Sequence, residues 1–365
     1  MKLQDFNNSK IAKGLIKQIL DLPCSSISLM EVCGTHTFQI AKLGLRDALC
    51  DKVKFLSGPG CPVCVSSMSD IDKIVQLSKL NNVILTTFGD MVKVPGSDMS
   101  LAQARAQGAD IRVLYSPIES LQIAQENQSK QVILVGIGFE TTTPLIASTI
   151  IRAKDLKLDN FCVFSINKNM PHALHKLLQG KNICVDGMIL PGHVSTIIGV
   201  EPYNFIAEDY QTPGVVAGFE LVDILQAVLM LVKQICSNTA KIENAYTRAV
   251  KQQGNLKARK LIEQVFDTCP AAWRGFGTIE DSGYKIKDKY AKFDASLKFD
   301  KELKVVEDIK IPSKSKACSC DKVLAGIITP DKCPMFKKIC KPEKPLGPCM
   351  VSSEGSCAAY YKYLV

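Results

Sequence analysis

The chain alternates short apolar runs with longer amphipathic stretches, and this alternation constrains its fold more than any other feature. Most of the apolar runs end at glycine, proline or aspartate, as buried strands commonly do. The sequence predicts strands over 27–32, 83–88, 111–115, 131–137, 161–166, 187–190 and 215–219. It predicts helices over 66–80, 100–108, 117–128, 144–153 and 171–179, and helical patterns over 220–236 and 239–266. Strands that alternate with helices favour parallel sheets covered on both faces.

This alternation predicts an α/β protein with two parallel-sheet α/β domains and a small cysteine-rich C-terminal domain. We expect the first α/β domain over 1–115, the second over 116–235, and a helical and basic connector with the cysteine-rich domain over 236–365. Ligands of such sheets bind outside the carboxyl ends of the strands. The loops FGD at 88–90, GFETTTP at 138–144 and PGHVS at 191–195 fall at these ends.

Fifteen cysteines are the most unusual part of the composition. The chain is 46% hydrophobic and 22% charged, which excludes a disordered protein. The apolar stretch 215–236 carries charged residues, which is typical of a partly buried helix, and the N-terminal residues lack the apolar core of a signal peptide. We therefore expect a cytoplasmic protein, in which clustered cysteines bind metals or carry out redox chemistry.

Six cysteines lie singly along the chain, outside any cluster. Most of them are expected to be small buried hydrophobic residues. They are Cys24, Cys50, Cys162, Cys184, Cys236 and Cys269.

The formal net charge of +9 raises the question of nucleic-acid binding. The segment 282–316 holds ten lysines against six acidic residues. The two signs are mixed and alternate with apolar residues, which suits exposed strands or a connector as well as a phosphate contact. The chain has one tryptophan, and its aromatic residues do not interleave with the basic ones, so we expect no nucleic-acid partner.

Two short motifs near the N-terminus carry candidate functional cysteines. In the first, Cys33 follows a predicted strand and His36 opens the next helix. A thiol near a helix N-terminus ionises more readily, so this pair suits metal binding or a polarised thiolate, with a structural cysteine and histidine as the alternative. In the second, Cys61 and Cys64 form a CxxC that opens a helix, which is typical of redox dithiols and also of one half of a zinc site.

The C-terminal tail holds six more cysteines, with spacings too irregular for a zinc ribbon. Scattered thiolates suit a 4Fe–4S cluster better, because each iron takes one sulfur and irregular loops are tolerated. A structural site for either metal stays open. The cysteines are Cys318, Cys320, Cys333, Cys340, Cys349 and Cys357.

The loop GIGFETTTP at 136–144 matches neither a P-loop nor a GxGxxG motif. Thr143 is predicted to cap the helix that Pro144 begins. Glu140 and the three threonines are predicted to face the crevice at the strand ends. Three isolated histidines are expected to be structural, and these are His172, His175 and His193.

Taken together, the motifs resemble one family, that of the hydrogenase maturation factor HypD. They are MEVCGTHT, GPGCPVC, GIGFETTTP, PGHVSTIIG, VVAGFELVDIL and GPCMVSSEGSCAAYYKY. They occur in the family's order from about residue 29 to the C-terminus. Each motif is modest evidence alone, but the set is specific.

The resemblance implies a part in assembling the active site of nickel–iron hydrogenases. It implies a scaffold that, in a stable complex with HypC, carries an iron with two cyanides and one carbon monoxide. HypE, working with HypF, would donate the cyanide, and the hydrogenase large subunit would be reached through HypC. The implied fold is two α/β domains with a C-terminal 4Fe–4S domain. Such a protein is a redox-active assembly scaffold and not a conventional turnover enzyme, with no nucleic-acid or membrane partner.

The resemblance also assigns residues. Cys33 would ligate the iron of the Fe(CN)2CO group, with His36 beside it, and Cys61 and Cys64 would form the redox-active dithiol. Cys318 and Cys349 are left open as cluster ligands. The implied ligands of the 4Fe–4S cluster are Cys320, Cys333, Cys340 and Cys357.

Two positions depart from the family pattern. Phe38 stands where a second histidine is expected after CGTHT, and Asn167 stands where an SxHK-like segment has its histidine. If an imidazole at either place helps to hold the iron, this chain holds it differently.

Two other functions fit parts of the sequence. One is a cluster-dependent thiol–disulfide reductase, similar in parts to ferredoxin–thioredoxin reductase. The other is a zinc-stabilised protein that binds nucleotides or RNA.

Overall fold

The computed structural model describes residues 9–180, 185–307 and 318–364, and within them the chain forms eleven strands. The strands are β1 (Ile27–Glu31), β2 (Val53–Ser57), β3 (Val83–Thr87), β4 (Asp110–Val113), β5 (Gln131–Gly136), β6 (Phe161–Ser165), β7 (Gly187–Pro191), β8 (Gly214–Ala217), β9 (Ile242–Asn244), β10 (Phe266–Trp273) and β11 (Gly277–Ile286). Each of the seven predicted strands overlaps one of them.

The described chain also forms seventeen α-helices. They are α1 (Ser9–Leu20), α2 (Gly34–Lys42), α3 (Leu45–Ala48), α4 (Pro62–Val65), α5 (Met68–Ser78), α6 (Leu101–Ala106), α7 (Glu119–Glu126), α8 (Thr143–Asp155), α9 (Met170–Leu178), α10 (Gly192–Ile198), α11 (Asn204–Glu208), α12 (Leu221–Cys236), α13 (Leu256–Val265), α14 (Ala295–Lys298), α15 (Asp300–Glu307), α16 (Cys320–Leu324) and α17 (Ser356–Tyr363). Capping boxes begin α5, α6 and α12, where a side-chain acceptor binds the exposed N–H groups of the first turn.

The first sheet has five parallel strands in the order β2-β1-β7-β8-β9. Its strands come from two distant parts of the chain, because β1 and β2 precede residue 58 whereas β7 begins at Gly187. The second sheet has four parallel strands in the order β4-β3-β5-β6, all from the segment between them. The prediction of an α/β protein with two parallel sheets is confirmed.

The strand pairing crosses the predicted domain boundary at residue 115. The second sheet takes β3 and β4 from before this residue and β5 and β6 from after it. Periodicity identifies strands but carries no information about non-local pairing, so the sheet order had to come from the structure. The boundaries at 115 and 235 themselves stay a prediction.

The segment after α12 differs from the helical pattern expected over 239–266. It forms β9 as an edge strand on β8, then a loop, and α13 from Leu256. Pairing with β8 outweighs the local helical preference here. Strands β10 and β11 then form an antiparallel hairpin, and the basic stretch after the hairpin is built of short helical turns and α15.

One apolar core joins both sheets to the cysteine-rich tail. It contains Met30 from β1, Ile133 from β5 and Cys349 from the tail, all at or near zero exposure. Strand β3 buries all five of its residues, as expected for a parallel strand covered on both faces. The tail is therefore packed into the body of the molecule.

The isolated cysteines are less uniform than predicted. Cys24 and Cys236, 212 residues apart, are paired as a disulfide between the α1–β1 loop and the end of α12. Cys162 is buried as predicted, whereas Cys50 is exposed and Cys269 is half-buried. Cys184 lies outside the described residues. A pairing over such a separation has no local sequence signal, which is why it was missed.

Helix α12 is strongly apolar, and its buried acidic residue pairs with an arginine. Asp223 is buried and receives two hydrogen bonds from Arg248, at 2.6 and 2.5 Å. Nowhere in the described ranges is a helix both long and apolar enough to cross a bilayer.

Candidate functional site

Cys33 lies at the point where three segments of the chain meet. It follows β1 and is the residue before α2, in extended conformation and only 7% exposed. The Gly34 N–H donates to the Gly60 carbonyl oxygen at 3.0 Å. A Cβ on Gly60 would lie 2.2 Å from the Cys33 nitrogen, so only glycine allows this approach. The CGTH loop and the CPVC loop are therefore in direct contact.

The third segment at Cys33 is the tail residue Glu354. The Thr35 Oγ1 donates to Glu354 Oε1 at 2.6 Å, and a Cβ on Gly34 would lie 2.4 Å from the Glu354 carbonyl oxygen. Glu354 belongs to the terminal GPCMVSSEGSCAAYYKY motif, but the sequence predicted no role for this residue. A carboxyl group across from the thiol is the functional feature that was missed.

The electrostatics of Cys33 are opposite to the expectation from the helix N-terminus. Burial, and then the Glu354 carboxylate, raise the pKa of the Cys33 thiol to about 12. Backbone N–H groups of Thr35 and His36 lower this pKa but do not compensate. The helix effect is worth a fraction of a kcal/mol to about 2 kcal/mol, less than the cost of burying a charge. The thiol is thus protonated until a cation or metal offsets the thiolate charge.

His36 is completely buried and held in one orientation. Its Nε2 donates to the Gly218 carbonyl oxygen at 2.9 Å, which leaves Nδ1 as an unprotonated acceptor. Nδ1 has no hydrogen-bond partner in the part of the chain that the structure covers. Burial lowers the pKa of His36 to about 4, so the ring is neutral. A neutral imidazole with one unused nitrogen can accept a hydrogen bond or ligate a metal.

Phe219 links this histidine to His193 from the PGHVS loop. The Phe219 ring stacks on His36 at 4.7 Å and on His193 at 3.9 Å between centroids. His193 was expected to be structural, and its packing on Phe219 agrees with that. Residues 218–220, which follow β8, therefore pack behind His36.

Cys61 and Cys64 open α4, as predicted for a CxxC motif. The Cys64 N–H donates to the Cys61 Sγ at 3.2 Å, and the Cys61 thiol donates to the Ser352 Oγ at 3.3 Å. Both are thiols and both are buried. Burial, followed by contacts with Cys349 and Cys61, raises the pKa of Cys64 well above its ordinary value.

Cys349 connects the CxxC motif to the tail cysteines. Its thiol interacts with Cys320 on one side and Cys64 on the other, and these hydrogen bonds lower its pKa. Cys320 in turn accepts from the Cys318 thiol at 3.2 Å. The structure thus contains an unbroken series of neighbouring thiols from Cys61 to Cys318.

Five tail cysteines line one cavity, which we call the sulfur cavity. Its other walls are apolar and include Val323, Phe336 and Leu346. The cysteines are Cys318, Cys320, Cys333, Cys340 and Cys357. Cys349 is not among the lining residues.

The sulfur cavity suits a polynuclear centre better than a single ion. Across residues 9–180, 185–307 and 318–364, no three histidine, cysteine or acidic side chains converge tightly enough for one metal ion. A 4Fe–4S cluster needs four thiolates spread around a larger centre, one for each iron. The donor set and the apolar walls fit that requirement.

The tail is fixed over the CPVC loop through the FGD loop. Asp90 Oδ2 accepts from the Ser352 hydroxyl at 3.1 Å and from the Ser353 N–H at 3.1 Å. Ser352 also receives the hydrogen bond from Cys61. The carboxyl end of β3 therefore holds the tail against the dithiol.

Glu140, from the GFETTTP loop, is buried at the crevice between the sheets. Its Oε1 accepts from the Met170 N–H at 2.9 Å, while Oε2 has no partner among the described residues. Burial raises the pKa of Glu140 to about 7. The hydroxyl of Tyr203 is likewise buried, with Ser195 as a neighbour, and its pKa is raised by burial and then by Glu140. We call the four buried residues Cys33, His36, Glu140 and Tyr203 the polar crevice.

Thr143 does not cap α8. The helix begins at Thr143 itself, and the Thr143 Oγ1 donates to the Phe139 carbonyl oxygen at 2.9 Å. Pro144 fits the first turn because this position needs no N–H donor. The predicted cap was therefore wrong, because the residue before the helix is Thr142 and its side chain makes no capping hydrogen bond, whereas Thr143 stabilises the loop before the helix.

The two departures from the family pattern have structural roles. The Asn167 Nδ2 donates to Thr143 Oγ1 at 3.2 Å, so this side chain holds the GFETTTP loop. Phe38 packs edge-on against Tyr363, with ring centroids 5.0 Å apart, and so ties α2 to α17. Both positions support the walls of the site.

Comparison with known proteins identifies the family of this chain. The family model for HypD, described as the hydrogenase formation hypA family, matches residues 10–364. The chain is 42% identical over 367 residues to the hydrogenase maturation factor HypD of Rhodobacter capsulatus, which covers 98% of this chain and 97% of the relative. It is 44% identical over 343 residues to the HypD of Escherichia coli, covering 92% and 89%. The HypD of Cupriavidus necator is 39% identical over 371 residues, covering 99% and 96%. On these grounds the chain belongs to the HypD family.

Proposed function

We propose that this chain is a maturation factor for nickel–iron hydrogenases, as its relatives are named. In a complex with a HypC partner it would carry an iron with two cyanides and one carbon monoxide while that group is assembled. HypE, with HypF, would supply the cyanide, and HypC would lead to the hydrogenase large subunit. The observation that supports this most is that the Cys33 loop contacts both of the other cysteine-bearing segments. Gly34 touches Gly60 of the CPVC loop and Glu354 of the cysteine-rich tail.

The cargo iron would bind to the Cys33 sulfur. The thiol must lose its proton as the Fe–S bond forms, and the positive iron offsets the charge that burial disfavours. The backbone N–H groups of Thr35 and His36 stabilise the thiolate. A soft thiolate suits low-spin ferrous iron.

The diatomic ligands would find polar partners in the crevice. Cyanide nitrogen accepts hydrogen bonds, and the Tyr203 hydroxyl and, below its pKa of about 7, the Glu140 carboxyl would be the donors. The unprotonated His36 Nδ1 offers an acceptor beside Cys33. Each buried polar atom left unpaired costs about 1–3 kcal/mol, so a ligand that satisfies them gains affinity.

The sulfur cavity would hold a 4Fe–4S cluster, which supplies single electrons when bound. Cys333, Cys340 and Cys357 line it as the resemblance implied, and so does Cys320. Cys318 lines it as well, and it competes with Cys320 for the fourth position. We assign Cys318 to the cluster, because Cys320 contacts Cys349 as well as Cys318 and so can belong to the thiol series.

The series of thiols gives electrons a path from the cavity to the Cys61–Cys64 pair. Cys349 stands between Cys320 and Cys64, and Cys61–Cys64 would be the pair that closes and opens as a disulfide. Opening a disulfide takes two electrons and two protons, and so needs two one-electron deliveries. Cys61 is the end of the series next to the Cys33 loop.

A cysteine replacement tests this function. Cys33→Ser should abolish hydrogenase maturation in cells while the purified protein keeps its visible absorbance and its iron and sulfide content. Infrared spectra of the anaerobic complex with HypC should lose the cyanide and carbonyl bands. The matched control is Cys162→Ser, because Cys162 is also buried but lies in β6 away from the site. A Cys33→Ser protein that still supports maturation would refute the assignment.

The thiol series also favours a second function, a cluster-dependent disulfide reductase. That function predicts turnover on a small disulfide substrate, and it predicts that Cys33→Ser has no effect on this turnover. The same variant therefore separates the two functions.

A further inference from the structure

We propose that the outer surface of the tail over the sulfur cavity, residues 332–344, is a docking site for a small acidic one-electron carrier protein. This inference rests on the proposed function, because electrons passed along the thiol series have to be replaced. The electrons have to come from a separate molecule. The charge of this segment, and its position between the sulfur cavity and solvent, identify the kind of partner.

Only one layer of chain separates the sulfur cavity from solvent here. Cys333, Phe336 and Cys340 line the cavity, and Phe336 and Cys340 are joined by a β-bridge. The turn is closed by the Cys340 N–H, which donates to the Met335 carbonyl oxygen at 2.9 Å. The residues between them, Lys337, Lys338 and Ile339, are exposed. A carrier resting on this turn would approach the cavity more closely than through the packed body of the protein.

The segment is strongly basic on its outer side. Five exposed lysines lie within it, and these are Lys332, Lys337, Lys338, Lys341 and Lys344. The acidic residues beside them are Asp331 and Glu343, and Asp331 is already 3.5 Å from Lys332. Positive charge therefore dominates, and it would attract a carrier with an acidic surface from a distance.

An apolar residue lies among these lysines. Ile339 is 53% exposed, at the outer end of the turn. Protein interfaces commonly have an apolar centre with a polar rim, and electron-transfer encounters use small interfaces of this kind. Nucleic acid would be expected to use exposed aromatic rings for stacking, but Phe336 and Tyr361 pack edge to face against each other at 6.3 Å. The segment thus fits a protein carrier better than RNA.

The electron balance sets what docking must do. Each reduced carrier gives up one electron and leaves oxidised. Two docking events are needed to open one disulfide into two thiols, with two protons taken from solvent. Because docking must occur repeatedly, the complex should be weak and dissociate quickly. A small charged patch is typical of such complexes.

The test uses the full chain purified without oxygen, and a reduced plant-type 2Fe–2S ferredoxin of acidic surface as the probe. Stopped-flow absorbance measures electron transfer, and calorimetry at low ionic strength measures binding. We expect Lys338→Glu with Lys341→Glu to slow transfer about tenfold at low salt and to weaken binding, with the difference shrinking at high salt. The control is Lys257→Glu with Lys260→Glu on α13, which changes the net charge equally at two exposed positions elsewhere.

Several outcomes would overturn the docking site. Transfer that is unchanged in the tail variant, or equally slowed in the control variant, would show that this segment is not the contact. Tighter binding of an RNA oligonucleotide than of ferredoxin, with the same dependence on the lysines, would assign the surface to another partner class. Dithionite separates these results from failure of the proposed function, since it should bleach every variant equally. A protein without iron and sulfide would refute the proposed function and this site together.

Discussion

The polar crevice and the sulfur cavity both bury thiols, but their surroundings differ. In the polar crevice, His36 Nδ1 and Glu140 Oε2 are buried without hydrogen bonds in the described structure. In the sulfur cavity the groups around the thiols are apolar, as Val323 and Leu346 illustrate. In the polar crevice, the unpaired polar atoms cost free energy until polar ligands bind, whereas the sulfur cavity offers only thiols as ligands.

Under the proposed function, this difference would let one chain handle two kinds of iron. A cargo that enters and leaves is best held by a single thiolate and by hydrogen bonds that form only when it is present. A resident centre is best held by several thiolates in a cavity that excludes water. Substitutions in each region test this difference, and the largest effect is expected among the tail cysteines.

Cys318→Ser should remove most of the iron from the purified protein, whereas Cys320→Ser should keep the iron and interrupt the thiol series. Both thiols line the cavity and Cys318 donates to Cys320, but Cys320 also contacts Cys349, which would place Cys320 in the thiol series. Iron and sulfide analysis with visible spectra measures the difference. If Cys320→Ser loses the iron and Cys318→Ser keeps it, the ligand set is the one that the family resemblance implied.

Gly34→Ala should separate the polar crevice from the tail. The new Cβ would lie 2.4 Å from a backbone oxygen of Glu354, so the two segments must move apart at a cost of about 3 kcal/mol, the upper part of the range for overpacking. Denaturant unfolding measures the loss, and maturation should fall although the iron content of the tail persists.

Gly14→Ala is the matched control for that substitution. Gly14 is exposed in α1 with nothing within 4 Å of the added Cβ, so alanine should stabilise the helix by up to about 1 kcal/mol. Equal destabilisation by both substitutions would mean that the close contact at Gly34 is unimportant.

Glu140→Gln should flatten the dependence of stability on pH. The pKa of Glu140 is about 7 in the folded protein against an ordinary value of 4.5, so the unfolded chain ionises first as pH rises. The free energy of unfolding should therefore fall by about 2 kcal/mol between pH 5 and pH 7, and then level off. Urea unfolding across this range checks it, and a slope that survives in the variant would assign the effect to other groups.

Much of the fold could be predicted because parallel strands are uniform along their length. The run 131–137 is apolar throughout, and β5 is buried at all but its first residue. The sheet order could not be predicted, since β1 pairs with β7 across more than 150 residues and periodicity is blind to such pairing. Strand β9 was not predicted for the same reason, because its structure depends on pairing with β8.

The candidate site was predictable in part. Cys33, Cys61 and the tail cysteines stand in motifs with spacings that suggest thiol chemistry. Glu354 and the bridging position of Cys349 were not predictable, because their roles depend on how the tail folds back over the first sheet. The sign of the Cys33 pKa shift was also wrong, since burial cannot be measured from spacing.

The interleaved order of the strands has a consequence for biosynthesis. The second sheet is contiguous in the chain, so its four strands can pair while the ribosome is still translating the C-terminal half. Strand β1, which leads to Cys33, must wait for β7 before it gains its second neighbour, and the walls of the crevice wait for Glu354. The nascent chain therefore leaves the Cys33 sulfur accessible until the segment around Glu354 has been translated and has packed against its loop.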